Sequence, residues 1–276
     1  MKHIYFLLLI IFALGSTTVT KAQSKSFLKM TEKEKSDFVA VKTDEITNAI
    51  SGKKYLFSTN FKAQVSAFVE AYASRVGNNI KKGAYKQDLT FVVQRGSEYA
   101  PMINAVFDKY QISRLSGLYI AMIESEFDNN LVSPTGGSGV FILTAAQAGK
   151  YRMTKKDITN PKKSAEIAAR RLGEAQNYFG EYRMKEYLAI MSWNRATKKI
   201  NFDIRFKFMS DSENVACPIC GLTENPQRFD RQFQTEAVKY IPKFLAAAIV
   251  GENPGIFGLN TEPLSTLSAK NMQSYK

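Results

Sequence analysis

The sequence predicts an all-α protein, and three observations lead to this prediction. Apolar residues recur at helical spacing along most of the chain. Residue types that favour helix starts precede several of these apolar stripes. Only one segment alternates with a period of two. With 276 residues, 45% of them hydrophobic, the chain is long enough to bury one sizeable core.

Four helices are predicted in the first half of the chain. Thr31 followed by Glu34 is a capping box, which opens a helix that runs to about Ile50. Ser113 can cap the fourth helix, which ends near Glu124. The apolar stripes of the second, third and fourth helices are Phe61, Val65, Phe68, Val69, Tyr72 and Val76; Tyr99, Met102, Ile103, Val106, Phe107 and Tyr110; and Leu115, Leu118, Tyr119, Met122 and Ile123.

Three more helices are predicted in the second half. Asn160 and Pro161 are typical of an N-cap and a first helical position, and Gly180 closes the helix that they open. Another helix is indicated by residues 187–191 and reaches residue 194. The last long helix carries Val238, Ile241, Leu245, Ala248 and Ile249, and we expect Gly251 to stop it.

Two segments depart from this helical pattern. In residues 202–208, Phe and Ile alternate with charged residues, which favours a short strand beside the cysteine pair. From residue 259 the chain turns polar, so residues 259–276 are predicted to form a flexible tail. Residues 23–94 are interpreted as an N-terminal helical region without a recognisable motif.

The N-terminus has the features of a secretory signal. Lys2 and His3 are followed by an apolar run at residues 4–14, which is too short to span a bilayer comfortably. Small residues at Thr20 and Ala22 predict cleavage after Ala22, so residues 1–22 are interpreted as a signal peptide. The alternative is an uncleaved anchor helix.

The net charge and the cysteine content limit the classes of partner and of chemistry that we expect for this protein. A formal charge of +13 favours anionic partners such as cell-wall polymers or lipid headgroups, and nucleic acid is a poor partner for an exported chain. Cys217 and Cys220 are expected to form a local disulfide in an oxidising compartment. A zinc site lacks further ligands, because the only His is His3, and a redox pair would require a βαβ context that the sequence does not show.

What remains for catalysis is carboxylate chemistry. Without His3 the exported chain has no histidine, which excludes a Ser–His–Asp triad and a His-ligated metal. Glu124 follows the apolar residues Met122 and Ile123, so burial should raise the pKa of its carboxyl, as a general acid requires. The alternative is an ordinary solvent-exposed glutamate at a helix end.

Several sequence blocks then follow Glu124 in a recognisable order. They are Glu124-Ser125 with Phe127; Ser133-Pro134-Thr135-Gly136; Gly139-Val140-Phe141-Ile142; Asn160-Pro161 with Ser164; Phe179-Gly180; Ser192-Trp193-Asn194; Glu236, Tyr240, Pro242 and Lys243; and Asn253-Pro254 with Phe257-Gly258. In these blocks, residues 95–258 resemble the catalytic domain of the lytic murein transglycosylases, and most closely the membrane-bound type D branch.

This resemblance implies a lysozyme-like, goose-type helical catalytic domain preceded by an N-terminal helical extension. It implies a periplasmic enzyme of a Gram-negative-type bacterium that acts on peptidoglycan glycan strands without a cofactor, in contact with the cell envelope and its machinery. Glu124 would be the single acid and base that cleaves the bond between N-acetylmuramic acid and N-acetylglucosamine. The product would carry a 1,6-anhydro end.

The resemblance also implies a set of substrate-binding residues, and all of them except Phe141 have a structural alternative. These residues are Ser125, Ser133, Phe141, Trp193, Asn194, Glu236 and Tyr240. The serines can instead form caps and turns. Trp193 and Tyr240 can pack in the core. Asn194 can close a helix, and Glu236 can be a surface charge.

The sequence departs from the family pattern at several positions. Ile142 stands where the family has a glycan-contacting Gln, Phe141 replaces Trp, and Arg195-Ala196 replaces Ala-Gly. Residues 201–232 form an insertion that contains the cysteine pair. Two alternative functions therefore stay open: a non-catalytic peptidoglycan-binding scaffold, and a lysozyme-type hydrolase whose water is held by Asp128, Asp157 or Glu236.

Overall fold

The all-α prediction is confirmed by the computed structural model, which describes residues 25–78, 87–208 and 216–268. Within these ranges the chain forms helices and loops, with isolated β-bridges only at Val132–Ser138 and Ser138–Leu143. The predicted signal peptide at residues 1–22 lies outside the described residues. None of the helices in the described ranges is long and apolar enough to cross a membrane.

Eleven α-helices are present in the described part of the chain. They are α1 (Glu32–Ser51), α2 (Thr59–Ala73), α3 (Leu89–Lys109), α4 (Arg114–Ser125), α5 (Ala145–Lys150), α6 (Lys155–Ile158), α7 (Pro161–Phe179), α8 (Lys185–Met191), α9 (Thr197–Phe202), α10 (Pro218–Glu224) and α11 (Val238–Glu252). Two π-helices, Asp203–Phe208 and Phe233–Ala237, continue α9 and lead into α11. Short 3₁₀-helices cover Phe27–Lys29, Pro226–Arg228, Pro254–Phe257 and Leu264–Thr266.

Helix α11 is the centre of the core. It packs against α1, α2, α4, α8 and α10, and most of its residues are buried on every side. A helix that is apolar around its whole circumference must be surrounded by other elements. On the far side of α4, helix α3 packs against both α4 and α7. Helix α4, which carries Glu124, is therefore held between α3 and α11.

The N-terminal helices belong to this same core. Helix α2 makes the most extensive contact of any helix with α11, and α1 packs on both of them. Phe61, Val65 and Val69 of α2 are completely buried. The region 25–78 is therefore an integral part of the body that holds α4.

Most predicted helix ends are confirmed. The Thr31–Glu34 capping box opens α1, Asn160 caps α7 and Gly180 follows its last residue. Two ends are wrong. Helix α8 ends at Met191, and α11 continues through Gly251 to Glu252. A side chain at Gly251 would collide with the ring of Tyr119, so this glycine gives room to a packed aromatic residue rather than ending the helix.

The strand predicted at residues 202–208 is also wrong, because this segment is helical. Phe202 and Phe206 are exposed and stack at 5.0 Å, while Ile204 is buried. Residues four apart share a face in a helix as well as in a strand. The alternation of Phe and Ile with charged residues in this segment therefore did not distinguish a strand from a helix. No neighbouring strand is present in the described residues to pair with such a segment.

The flexible tail predicted from residue 259 is contradicted for residues 259–268. Leu264 is completely buried, and Asn104 Nδ2 donates hydrogen bonds to the carbonyl oxygens of Leu264, Ser265 and Leu267. Ser265 Oγ also donates to Glu252. One buried leucine and one buried amide thus fix a polar segment whose composition alone suggested disorder. Residues 269–276 lie outside the described ranges.

Helices α3 and α4 approach so closely that we expect Gly117→Ala to destabilise the protein. An added Cβ at Gly117 would lie 2.5 Å from the ring of Phe107, which is itself fully buried and cannot move freely. Overpacking of this kind lowers the free energy of unfolding by about 1–3 kcal/mol. Urea denaturation of the purified variant measures this loss.

Gly149→Ala is the matched control. Gly149 also lies inside a helix, but nothing is within 4 Å of an added Cβ, so stability should stay the same or rise by up to about 1 kcal/mol. Equal stability of Gly117→Ala and wild type would contradict the close α3–α4 contact.

Candidate active site

Glu124 lies in the last turn of α4 and faces a pocket of about 240 Å³. The pocket forms where the C-terminal ends of α4 and α8 meet the start of α11. Its lining consists of Ile123, Glu124, Asn194, Glu236, Lys239, Tyr240 and Lys243. Of the predicted site residues, the fold therefore brings together Glu124, Asn194, Glu236 and Tyr240.

The environment of Glu124 keeps its carboxyl more basic than an ordinary glutamate. Burial raises its pKa, as the apolar residues before it suggested. Three groups oppose this shift by stabilising the ionised form: the hydrogen bond that Tyr240 Oη donates to Oε1 at 2.8 Å, and the charges of Lys243 and Arg171. The result is an acid that is biased toward its protonated form and also has partners for its ionised form.

Lys243 and Arg171 each bind the end of a helix beside this pocket. Lys243 Nζ donates to the carbonyl oxygen of Ile123 in α4, at 3.1 Å. Arg171 Nη2 donates to the carbonyls of Ser192 and Trp193, directly after α8, at 3.0 and 3.1 Å. Burial lowers the pKa of both cations. The sequence did not predict either role. Lys243 belongs to one of the blocks that resemble the family, and no pattern marks Arg171 as a site residue.

The chain turns sharply directly after Glu124. Glu126 and Phe127 have φ values of 52° and 61°, a left-handed conformation that is unfavourable for residues other than glycine. Arg95 donates two hydrogen bonds to the carbonyl of Glu126, and Arg75 pairs with its carboxylate at 2.6 Å. These contacts hold a strained turn, and strain of this kind clusters at functional sites.

The two serines that were predicted to bind substrate, Ser125 and Ser133, form hydrogen bonds within the loop after α4 and do not line the pocket. Ser125 is completely buried, and its hydroxyl donates to the carbonyl oxygen of Val140 at 2.6 Å, so it ties α4 to the loop that follows. Ser133 Oγ accepts from the backbone of Gly137 at 3.0 Å and is within hydrogen-bonding distance of Thr135. Neither hydroxyl contacts Glu124, and neither residue lines the pocket.

Phe141 and Trp193 form part of the core. Phe141 is completely buried between Phe107 and Trp193, so the prediction that it binds substrate is wrong: a sugar ring cannot reach it. Trp193 is 8% exposed, and the guanidinium of Arg171 stacks on its ring at 4.2 Å. That face of the indole is therefore occupied. Trp193 therefore follows its core-packing alternative, and Phe141 packs in the core as well.

Ile142, which stands in place of the family's glutamine, has an unusual backbone. Its φ of 49° is left-handed, which is a strong outlier for a β-branched residue. Its carbonyl and side chain lie against Gly137, where an added Cβ would be only 2.6 Å from the Ile142 oxygen. The loop from Ser133 to Ile142 is thus tightly folded, and its backbone conformation does not depend on a glutamine side chain.

Asn194 and Glu236 differ in exposure, because Asn194 is half-buried and Glu236 is exposed. The Oδ1 atom of Asn194 is buried and has no hydrogen-bond partner among the described residues. An unsatisfied buried acceptor of this kind is available to a ligand donor. Glu236 is exposed at the rim, on the π-helix that leads into α11.

The other carboxylates considered for a hydrolase lie away from this pocket. Asp128 accepts a hydrogen bond from the backbone of Asn130. Asp157 accepts from the backbone of Thr154 and pairs with Lys163 at 2.6 Å. Neither lines the pocket, so among these candidates only Glu236 could hold a water next to Glu124.

The described parts of the insertion, residues 201–208 and 216–232, are bound by Arg195 beside the pocket. Arg195 is almost completely buried and binds Asp203 at 2.7 Å and Asp230 at 2.9 Å and 3.0 Å. Cys217 and Cys220 form a disulfide at the start of α10. Because Arg195 directly follows Asn194, the Arg-for-Ala departure connects the insertion to the pocket.

A larger cavity of about 600 Å³ lies at the opposite end of α4. Four of its charged residues form pairs, Arg114 with Asp108 and Lys42 with Glu45, while Glu252 accepts hydrogen bonds from Tyr119 and Ser265. We assign the chemistry to the smaller pocket, where burial raises the pKa of Glu124. Among the described residues, no group of three or more His, Cys, Asp or Glu side chains could hold a metal ion.

Comparison with known proteins agrees with this assignment. Residues 101–215 match the family model of the transglycosylase SLT domain. The match supports assignment of this segment to the lytic transglycosylase superfamily, whose substrate is peptidoglycan. The SLT domain is lysozyme-like and all-helical, so the predicted fold class is confirmed. No curated protein matches the chain.

We expect removal of the buried arginine in Arg195→Met to destabilise the protein strongly. Asp203, which is also buried, would lose its ion pair with the guanidinium, and breaking a buried pair costs about 3–5 kcal/mol. In Arg114→Met the lost pair with Asp108 is nearly half exposed, so the change should be at most about 1 kcal/mol. Chemical denaturation of both variants gives the comparison, and similar losses would contradict the importance of burial.

Proposed function

We propose that this protein is an exported peptidoglycan lytic transglycosylase in which Glu124 acts alone as general acid and general base. The match to the SLT domain supports lytic transglycosylase activity on peptidoglycan in general terms. The single observation that supports the specific mechanism is the half-buried carboxyl of Glu124, whose pKa is raised by desolvation, in a pocket at the junction of three helices.

In the first step, protonated Glu124 acts as the acid. Its proton passes to the oxygen that bridges N-acetylmuramic acid and N-acetylglucosamine, and the bond from the anomeric carbon to that oxygen breaks. The raised pKa of Glu124 extends the pH range over which the protonated form is present. The glutamate becomes a carboxylate, and the hydroxyl of Tyr240 and the charges of Lys243 and Arg171 stabilise it.

In the second step, the same carboxylate acts as the base. It takes the proton of the 6-hydroxyl of the muramic acid, whose oxygen forms a bond to the anomeric carbon. This closes a 1,6-anhydro ring and returns Glu124 to its protonated form. No water is consumed and no second carboxylate is needed, in contrast to glycosidases that use a pair of carboxyl groups.

Glu236 is the reason for keeping a lysozyme-type hydrolase as a second candidate. It is the other carboxylate that lines the pocket, and it is exposed, so it could orient a water molecule. Its position at the rim is equally compatible with contact to a sugar hydroxyl.

The cellular setting is part of the proposal. Residues 1–22 carry the features of a cleavable signal, and the Cys217–Cys220 disulfide fits an oxidising compartment such as the periplasm. The positive net charge favours attachment to the anionic cell envelope. The order of the sequence blocks supports a place near the membrane-bound type D branch.

Digestion of purified sacculi tests the reaction. We expect the protein without residues 1–22 to release muropeptides with 1,6-anhydro ends, and we expect Glu124→Gln to release none, because the amide can neither donate nor accept the required proton. Mass spectrometry distinguishes anhydro ends from reducing ends by the mass of one water.

Glu236→Gln is the matched control, since it removes a carboxylate from the same pocket. Anhydro products from this variant support the single-acid mechanism. Reducing ends from wild type, lost in Glu236→Gln, would establish the hydrolase instead. Retained binding to sacculi without any release would indicate a non-catalytic scaffold.

A further inference from the structure

The position of Glu124 at the C-terminal end of α4 disfavours the ionised form of its carboxyl. Helix dipoles leave negative partial charge on the last carbonyl groups, and this disfavours a carboxylate in the same turn. Burial acts in the same direction. A reaction in which the same group must also exist as a carboxylate therefore requires compensation close to this turn.

The final carbonyl groups of α4 have different partners. The carbonyl of Met122 accepts from the backbone of Glu126, and that of Ser125 accepts from the backbone of Asp128. The carbonyl of Ile123 accepts from Lys243 Nζ. This is the one bond of the three in which a formal positive charge is delivered to the helix end, one residue before the acid.

Lys243 lies on α11 one helical turn after Tyr240, so both side chains reach the pocket from the same face. Tyr240 binds the carboxyl of Glu124 and Lys243 binds the carbonyl before it. Because α11 is the buried central helix, the two contacts are held in a fixed relation to each other.

We propose that Lys243 is a positioning residue that fixes the last turn of α4 and supplies the counter-charge for the ionised form of Glu124. The inference rests on the proposed function, since it assigns to Lys243 the support of the second step of that reaction. The lysine does not transfer a proton. Its charge stabilises the carboxylate that acts as the base in the second step, while Glu124 can still be protonated in the first step.

Effects of opposite sign act on the pKa of Lys243. Burial lowers its pKa, and the carboxylates of Glu124 and Glu126 oppose that effect. Arg75, supplied by the N-terminal helical region just after α2, pairs with Glu126 and adds a repulsive charge. The other titratable groups at the pocket or near Glu124 are Tyr240 and Lys239 on α11, Glu236 on the adjoining π-helix and Arg171 on α7.

Lys243→Gln separates charge from hydrogen bonding, because it removes the ammonium but retains an amide donor. Without the positive charge, the ionised form of Glu124 is less stable and its pKa rises. We expect the alkaline limb of the pH profile of kcat/KM to move up by about one pH unit. Lys243→Arg keeps a cation and should leave the limb near its wild-type position.

Lys239→Gln is the matched control. Lys239 is on the same helix and lines the same pocket, but it is exposed and its charge does not contribute to the pKa shift of Glu124. Removing it should leave the alkaline limb unchanged. Equal shifts in Lys239→Gln and Lys243→Gln would overturn the proposal, as would a shifted limb in Lys243→Arg or an unshifted limb in Lys243→Gln.

A second readout makes the inference independent of activity. Titration of ¹³C-labelled glutamate carboxyl groups by NMR, with Glu124→Gln to assign the signal, gives the pKa of Glu124 directly. If sacculi are not cleaved but Lys243→Gln raises this pKa and Lys239→Gln does not, the proposed function fails while the role of Lys243 stands. If Lys243→Gln does not fold, Lys243→Arg still decides: a changed Glu124 titration with the charge retained contradicts the proposal.

Discussion

The contact between the end of α4 and the centre of α11 is the constraint on which the site depends. Tyr240 reaches the carboxyl of Glu124 from a helix that is buried on nearly every side. A surface loop could not hold that hydroxyl at a constant distance from the acid. The packing that buries α11 at the centre of the fold also desolvates the carboxyl of Glu124 and raises its pKa, so stability and acidity have one common origin.

The N-terminal helices acquire a role from this arrangement. Their sequence contains no recognisable motif, yet α2 packs along α11. Arg75, just beyond α2, binds Glu126 in the turn directly after Glu124. The left-handed conformation of Glu126 is thus held by a side chain from outside the matched SLT segment. The N-terminal helical region, which the sequence indicated as an extension, is therefore part of the support for the candidate active site.

Sequence patterns predicted most of the helices because the signals for helices are local, whereas the assignment of Glu124 as the acid rests mainly on the family resemblance. Capping boxes, apolar stripes and the apolar run before Glu124 are encoded within a few residues. The failures depend on tertiary contacts: Phe141 is buried by two aromatic neighbours, and residues 259–268 are held by Asn104 from α3. Arg171 and Lys243 could not be identified as site residues, since only the folded chain shows which helix ends they bind.

The central position of α11 sets the smallest fragment that could work. The segment matched by the SLT domain ends at residue 215, before α11 begins, so it contains Glu124 but neither Tyr240 nor Lys243. An expression fragment cut to those limits would lack both α2 and α11, and it would leave α4 without its partner helix α11. Fragment design, gene fusion and domain transplantation should therefore treat residues 25–268 as one indivisible unit.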